Sequence, residues 1–180
     1  MTDKSHLFKA LLLFIVAVVL LLGLPACKPQ EQELSFEVLA QGEGFAPSRM
    51  YAEREPDFLI ITTLDEVDNP ALDVQYPPDL VEQIRAVDYQ NKFVLVVLRG
   101  SIGALSPEYT VEVLEAVRAG DNVVLKTHFG NPSPESATLS AFSSPYQVVT
   151  VKKDGRWGQD IHFVLEVDGT AVKERTQFIP

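Results

Sequence analysis

Phe93-Val94-Leu95-Val96-Val97-Leu98 is an unbroken apolar run that ends at Arg99-Gly100. Shortly after it, Tyr109-Thr110-Val111-Glu112-Val113-Leu114 alternates apolar and polar side chains. The first stretch reads as a strand from its length and valine content, and the second carries the two-residue period of one. Ala119-Gly120-Asp121-Asn122 then supplies a turn, and Val123-Val124-Leu125-Lys126-Thr127-His128-Phe129 runs back as the next strand.

The same reading extends in both directions. Downstream, Tyr146–Val151 is a strand and Lys153-Asp154-Gly155 a turn. Asp168-Gly169 joins His162–Val167 to Thr170–Glu174 as a hairpin. Upstream, Leu34-Ser35-Phe36-Glu37-Val38 alternates, while Phe58-Leu59-Ile60-Ile61-Thr62-Thr63 is apolar on both faces and is expected in the middle of a sheet. Asp79–Arg85 fits one short helix, with Asp79 as its N-cap and Leu80 and Ile84 one turn apart. Asn69-Pro70 and Pro77-Pro78 mark a loop, and so does the Ser- and Pro-rich stretch Asn131–Ser144. The expected fold is mainly β: an antiparallel sandwich or open barrel of about seven or eight strands with one short helix.

The N-terminus has a different character. Lys4 and Lys9 precede the uncharged apolar run Ala10–Leu24, and Leu24-Pro25-Ala26-Cys27 closes it with the only cysteine of the 180-residue chain. The pattern resembles a bacterial lipoprotein signal, in which the cysteine is acylated and the chain is cut just before it. Residues 1–26 then form the signal peptide, 27–33 a polar tether, and 34–180 a single β-rich domain. A cleaved secretory signal would leave Cys27 as a lone thiol. An uncleaved anchor is the other alternative, although a spanning helix needs about 20 apolar residues and Pro25 would interrupt its end. All three readings put the domain outside the cytoplasm, and the first fixes it to the membrane through Cys27.

The chain carries a formal net charge of −10, and loss of the signal removes two lysines and one aspartate, which leaves the domain more acidic still. Phosphate backbones are bound by clustered Lys and Arg, so nucleic acid is excluded as a partner. Catalytic side chains are scarce. His128 and His162 both fall on expected strands, without the ligand spacing of a metal site. No Gly-x-Ser-x-Gly elbow and no phosphate-binding Gly-x-x-x-x-Gly-Lys loop occurs. Asp65, Glu66 and Asp68 form a carboxylate cluster expected on a loop and solvated. No cofactor and no metal are expected. Phe129, Phe142, Tyr146 and Trp157 flank the Ser/Pro loop and the turn beyond it. They read either as core packing at strand ends or as a protein-binding patch on loops held by a rigid sheet.

One stretch resembles a known family. Val87-Asp88-Tyr89, the strand ending at Gly100, Tyr109-Thr110-Val111-Glu112-Val113, the strand to His128, a Pro-bearing loop and Ser144-Pro145-Tyr146-Gln147-Val148-Val149 follow one another in order. Val87–Lys153 thus resembles the C-terminal domain of the PrcB family, named for a subunit of a bacterial surface protease complex. A glycine pair normally precedes the tyrosine of that domain; Pro107-Glu108 stands there here. The resemblance implies a β-rich, secreted or lipid-anchored module without catalytic residues that helps assemble or present other proteins. The expected function is therefore protein binding or complex assembly. A hydrolase of envelope polymers and a carrier of a small apolar ligand are the alternatives.

Overall fold

The computed structural model describes residues 30–43, 55–67, 78–103, 106–137, 139 and 143–180. In chain order the elements are β1 (Glu31–Glu33), β2 (Phe36–Gly42), β3 (Asp57–Ile61), α1 (Leu64–Val67), α2 (Pro78–Arg85), β4 (Lys92–Leu98), β5 (Glu112–Ala119), β6 (Asn122–His128), β7 (Tyr146–Lys152), β8 (Gln159–Val167) and β9 (Thr170–Ile179). The strands form two sheets, β2-β7-β4-β3 and β1-β5-β6-β8-β9, which make a β-sandwich.

Each sheet contributes one face to a shared core. Phe58, Phe93, Leu95, Val97, Val149 and Val151 from the smaller sheet meet Val113, Val123, Leu125, Ile161, Phe163 and Leu165 from the larger one. The central strand β4 also buries its other face. Val94, Val96 and Leu98 lie with Leu59, Ile61 and Val148 under Leu80 and Ile84 of α2. Fully burying a side chain of that size contributes roughly 1.5–3 kcal/mol, so two such residues suffice to seat an eight-residue helix too short to stand alone. The Tyr89 hydroxyl donates to the carbonyl of Ile84 at 3.1 Å and so finishes the last turn of α2.

Several features differ from the sequence reading, and the strands show it in four places. Glu31–Glu33, expected within the tether, form β1 and pair antiparallel with Val117–Ala119 of β5; residues 27–29 lie outside the described ones. β3, expected in mid-sheet, lies at the edge of the smaller sheet. It is nevertheless apolar on both faces, because Phe58 and Ile60 face the sandwich core while Leu59 and Ile61 face the helix layer. A β-bulge between Val38 and Ala40 leaves Val38 exposed, which breaks the alternation expected from Leu34 to Val38. Finally, β6 and β8 are parallel, whereas every other pair is antiparallel. Between them the chain crosses to the other sheet as β7, which reverses its direction once, so β8 returns along the course of β6.

The hairpin at Asp168-Gly169 is as expected. Asp168 has φ 48° and Gly169 φ 83°, the left-handed pair that a tight two-residue turn between twisted strands requires. Asp79–Arg85 is helical as read, but the helix begins at Pro78, so Asp79 lies in its first turn and is not the N-cap, and α1 adds a second short helix.

Candidate functional site

Phe129, Tyr146 and Trp157 do not gather into one exposed patch. Phe129 is only 7% exposed and belongs to the sandwich core. Tyr146, also 7% exposed, opens β7 and packs in the helix-side cluster. Trp157 lies past the far end of β7, where its ring meets Phe93 edge-on at 5.5 Å. Phe142 lies outside the described residues. Aromatics at strand ends serve here mainly as packing, which removes the patch read from Phe129, Tyr146 and Trp157 as a single surface.

One of them does help to build a cleft. Tyr146 and Tyr109 line a depression of about 250 Å³ with Gln41, Glu43, Pro107 and Thr110. Burial pushes the Tyr146 phenol pKa upward, with Asp79 a smaller contributor, so the ring stays neutral. Its hydroxyl lies 3.2 Å from where a side chain on Gly42 would begin, so that glycine keeps the cleft floor open.

Behind the cleft, Arg99 is clamped where β4 ends. Its guanidinium lies 5.0 Å from the Tyr109 ring centroid and 5.3 Å from that of Phe129. It donates to the Gly130 carbonyl and, at 2.5 Å, to Asn131 Oδ1. Burial lowers its pKa, although an arginine remains charged throughout. Arg99 thereby ties the start of the Ser/Pro loop to the end of the central strand. A side chain at Gly130 would begin 2.3 Å from Thr110 Oγ1 and 3.2 Å from the Glu108 carbonyl oxygen, so a larger residue there would have to displace the Thr110 side chain.

A buried amide joins the sheets just below. Gln147 Oε1 accepts the Val113 N–H at 2.7 Å, and its Nε2 donates to Gln41 Oε1 at 3.2 Å. The bulge between Val113 and Glu115 on β5 accompanies this inter-sheet bond. Farther out, the Glu108 carboxylate accepts from Ser133 N–H at 3.0 Å and from the Ser136 hydroxyl at 2.7 Å, which fastens the loop to the turn before Tyr109.

The other polar candidates have structural roles. Glu66 Oε2 accepts from the backbone N–H of Thr62 at 2.5 Å and of Thr63 at 3.3 Å, while Thr63 precedes α1. Thr63-Leu64-Asp65-Glu66 is thus a capping-box sequence whose glutamate serves the backbone. Asp68 lies outside the described residues. His128 and His162 stand on the outer face of the larger sheet and pair with Asp168 at 2.6 Å and Glu174 at 3.4 Å. No group of three or more His, Cys, Asp or Glu among the described residues could hold a metal. No described helix is long and apolar enough to cross a membrane, and Ala10–Leu24 and Cys27 lie outside the described residues.

Arg99, Tyr109 and Gln147 were not singled out as site residues by the sequence reading. Arg99 just follows β4, Tyr109 lies ahead of β5 and Gln147 is within β7, and only the packing of these strands brings the three to one end. Compared with family models, curated proteins and solved structures, the chain matches none.

Proposed function

We propose that the chain is a lipid-anchored, extracytoplasmic protein-binding module that offers the Tyr109–Tyr146 cleft and its adjoining loop to a partner. The observation that carries this reading is where the chain enters the sandwich. Gln30 leads into β1, whose first residue pairs with Ala119 at the far end of β5, away from the cleft. Cys27 lies three residues before Gln30, a reach of at most about 11 Å at 3.3–3.6 Å per residue. An acylated Cys27 would hold that end against the bilayer and turn the tyrosine end outward. Attachment through two or more acyl chains is stable, whereas a single chain binds only marginally.

In this reading the cleft binds and does not catalyse. Its two phenols combine apolar area with a polar tip, the chemistry that protein interfaces favour, and the resemblance to a complex-assembly domain points the same way. A photo-crosslinking residue at Glu43 or Pro107 in living cells is expected to trap one discrete partner, and the same residue at Lys126 is not. Equal trapping from both places would overturn the binding assignment. Mass spectrometry finding Cys27 unmodified would overturn the anchoring.

A further inference from the structure

At the opposite end of the sandwich a second cleft, of about 350 Å³, is lined by Gln30, Gln32, Arg118, Asp121, Arg156 and Gln159. Arg118 is the unusual member. It points inward from β5 opposite Val123, and the residue is only 7% exposed. Its guanidinium sits 4.1 Å over the Trp157 ring, and its Nε donates to the Gly120 carbonyl at 2.8 Å. Among the described residues its Nη atoms have no hydrogen-bond or ion-pair partner. A cation withdrawn from water without an anion is costly, and burial accordingly lowers its pKa while Asp121 raises it. Asp121 does not pair with it; its Oδ1 accepts from Gln159 Nε2 at 2.6 Å. Arg156 is exposed on the same cleft and is also unpaired among the described residues.

We propose that this cleft binds a phosphate ester that bears hydroxyl groups, with the phosphate on Arg118 and Arg156 and the hydroxyls on Asp121 and the glutamine amides. Guanidinium forks match phosphate oxygens two at a time, and two of them match the charge of a phosphate. A cleft near the lower end of the roughly 300–1,000 Å³ range of ligand sites has room for more than a bare anion. Asp121 would repel a second anionic group and accept from a hydroxyl, which selects an ester over inorganic phosphate. The ester has two sources. One is the glycerophosphate headgroup of a membrane lipid, which rests on the anchoring of Cys27; the other is a soluble glycerol or sugar phosphate, which does not.

Trp157 is the sole tryptophan, so its emission reports on the guanidinium above it. The full chain in neutral detergent would be titrated with glycerol 1-phosphate. It would also be reconstituted in phosphatidylcholine nanodiscs with and without phosphatidylglycerol. A saturable emission change is expected with the free ester or with phosphatidylglycerol, and the responding arm identifies the source. Arg156→Gln, at an exposed position, is expected to weaken that response at least tenfold with thermal stability unchanged. Arg118→Lys keeps the charge without the fork and is expected to weaken it as well. Silence in both arms, or an Arg156→Gln response equal to that of the unaltered chain, overturns the site. If Cys27 is unacylated while the free ester binds, only the anchoring reading falls.

Discussion

The two sheets are built from the same kinds of side chain and differ in what lies outside them. In the four-stranded sheet β4 and β7 are buried at nearly every position, because α2 roofs the face turned away from the core. In the five-stranded sheet β5, β6 and β8 alternate, because their outer face meets water. Val117, Val124 and Val164 are half-buried there among Glu115, Lys126, His162 and Glu166. The number of consecutive apolar residues thus records how many faces of a strand are covered. It does not record the strand's place in the sheet, as the doubly buried edge strand β3 demonstrates.

The largest effect should come from the core that both sheets share. Phe93 is fully buried against Trp157 and Phe163, so Phe93→Ala is expected to cost about 3–5 kcal/mol by chemical denaturation. The roof on the smaller sheet is tested next. Ile84→Ala removes a fully buried side chain of α2 and should cost about 2–5 kcal/mol; a negligible change would mean that the helix does not seal that face.

Between the sheets, Gln147→Ala would leave the Val113 N–H without its acceptor in a buried place. A loss of about 1–3 kcal/mol is expected, with faster exchange of that amide. On the open face, Val124→Thr should change stability by no more than about 0.5 kcal/mol. A cost as large as that of Ile84→Ala would show this face to be covered too, and the contrast between the sheets would fail.

The smallest effect concerns the loop beside the tyrosine cleft. The Ser136 hydroxyl, followed by the Ser133 N–H, holds the Glu108 pKa below the usual carboxylate range. The tie is therefore complete above the ordinary glutamate pKa and is lost as pH falls through the lowered folded value. Exchange protection of the Ser133 amide should fall over that acid window while the amides of β4 keep theirs. Protection that does not change with pH would show that Glu108 does not fasten the loop.

Much of the sandwich was legible locally. Phe93–Leu98, Val123–His128 and Tyr146–Val151 are strands because short valine-rich or alternating runs have no other way to bury their side chains. Asp79–Arg85 is a helix because Leu80 and Ile84 share one side. The candidate cleft was hardly legible at all. Tyr146 was singled out, but as part of a patch with Trp157, which lies beyond the opposite end of β7. Arg99 gave no signal, since its partners are the Gly130 carbonyl and two rings brought in by other strands.

The sequence by itself determined the mainly β class, the hairpin at Asp168-Gly169, the acidic surface and the apolar N-terminal run ending in Cys27, all of which depend on neighbouring residues or on counts. Only the tertiary structure decided that β3 is an edge strand, that β6 and β8 run parallel, that Glu31–Glu33 pair with β5, and that Arg118 is buried over Trp157 at the mouth of a cleft. These are contacts between residues far apart in the chain. Their energies depend on which faces meet, and a strand's side-chain pattern records that a face is covered without recording by what.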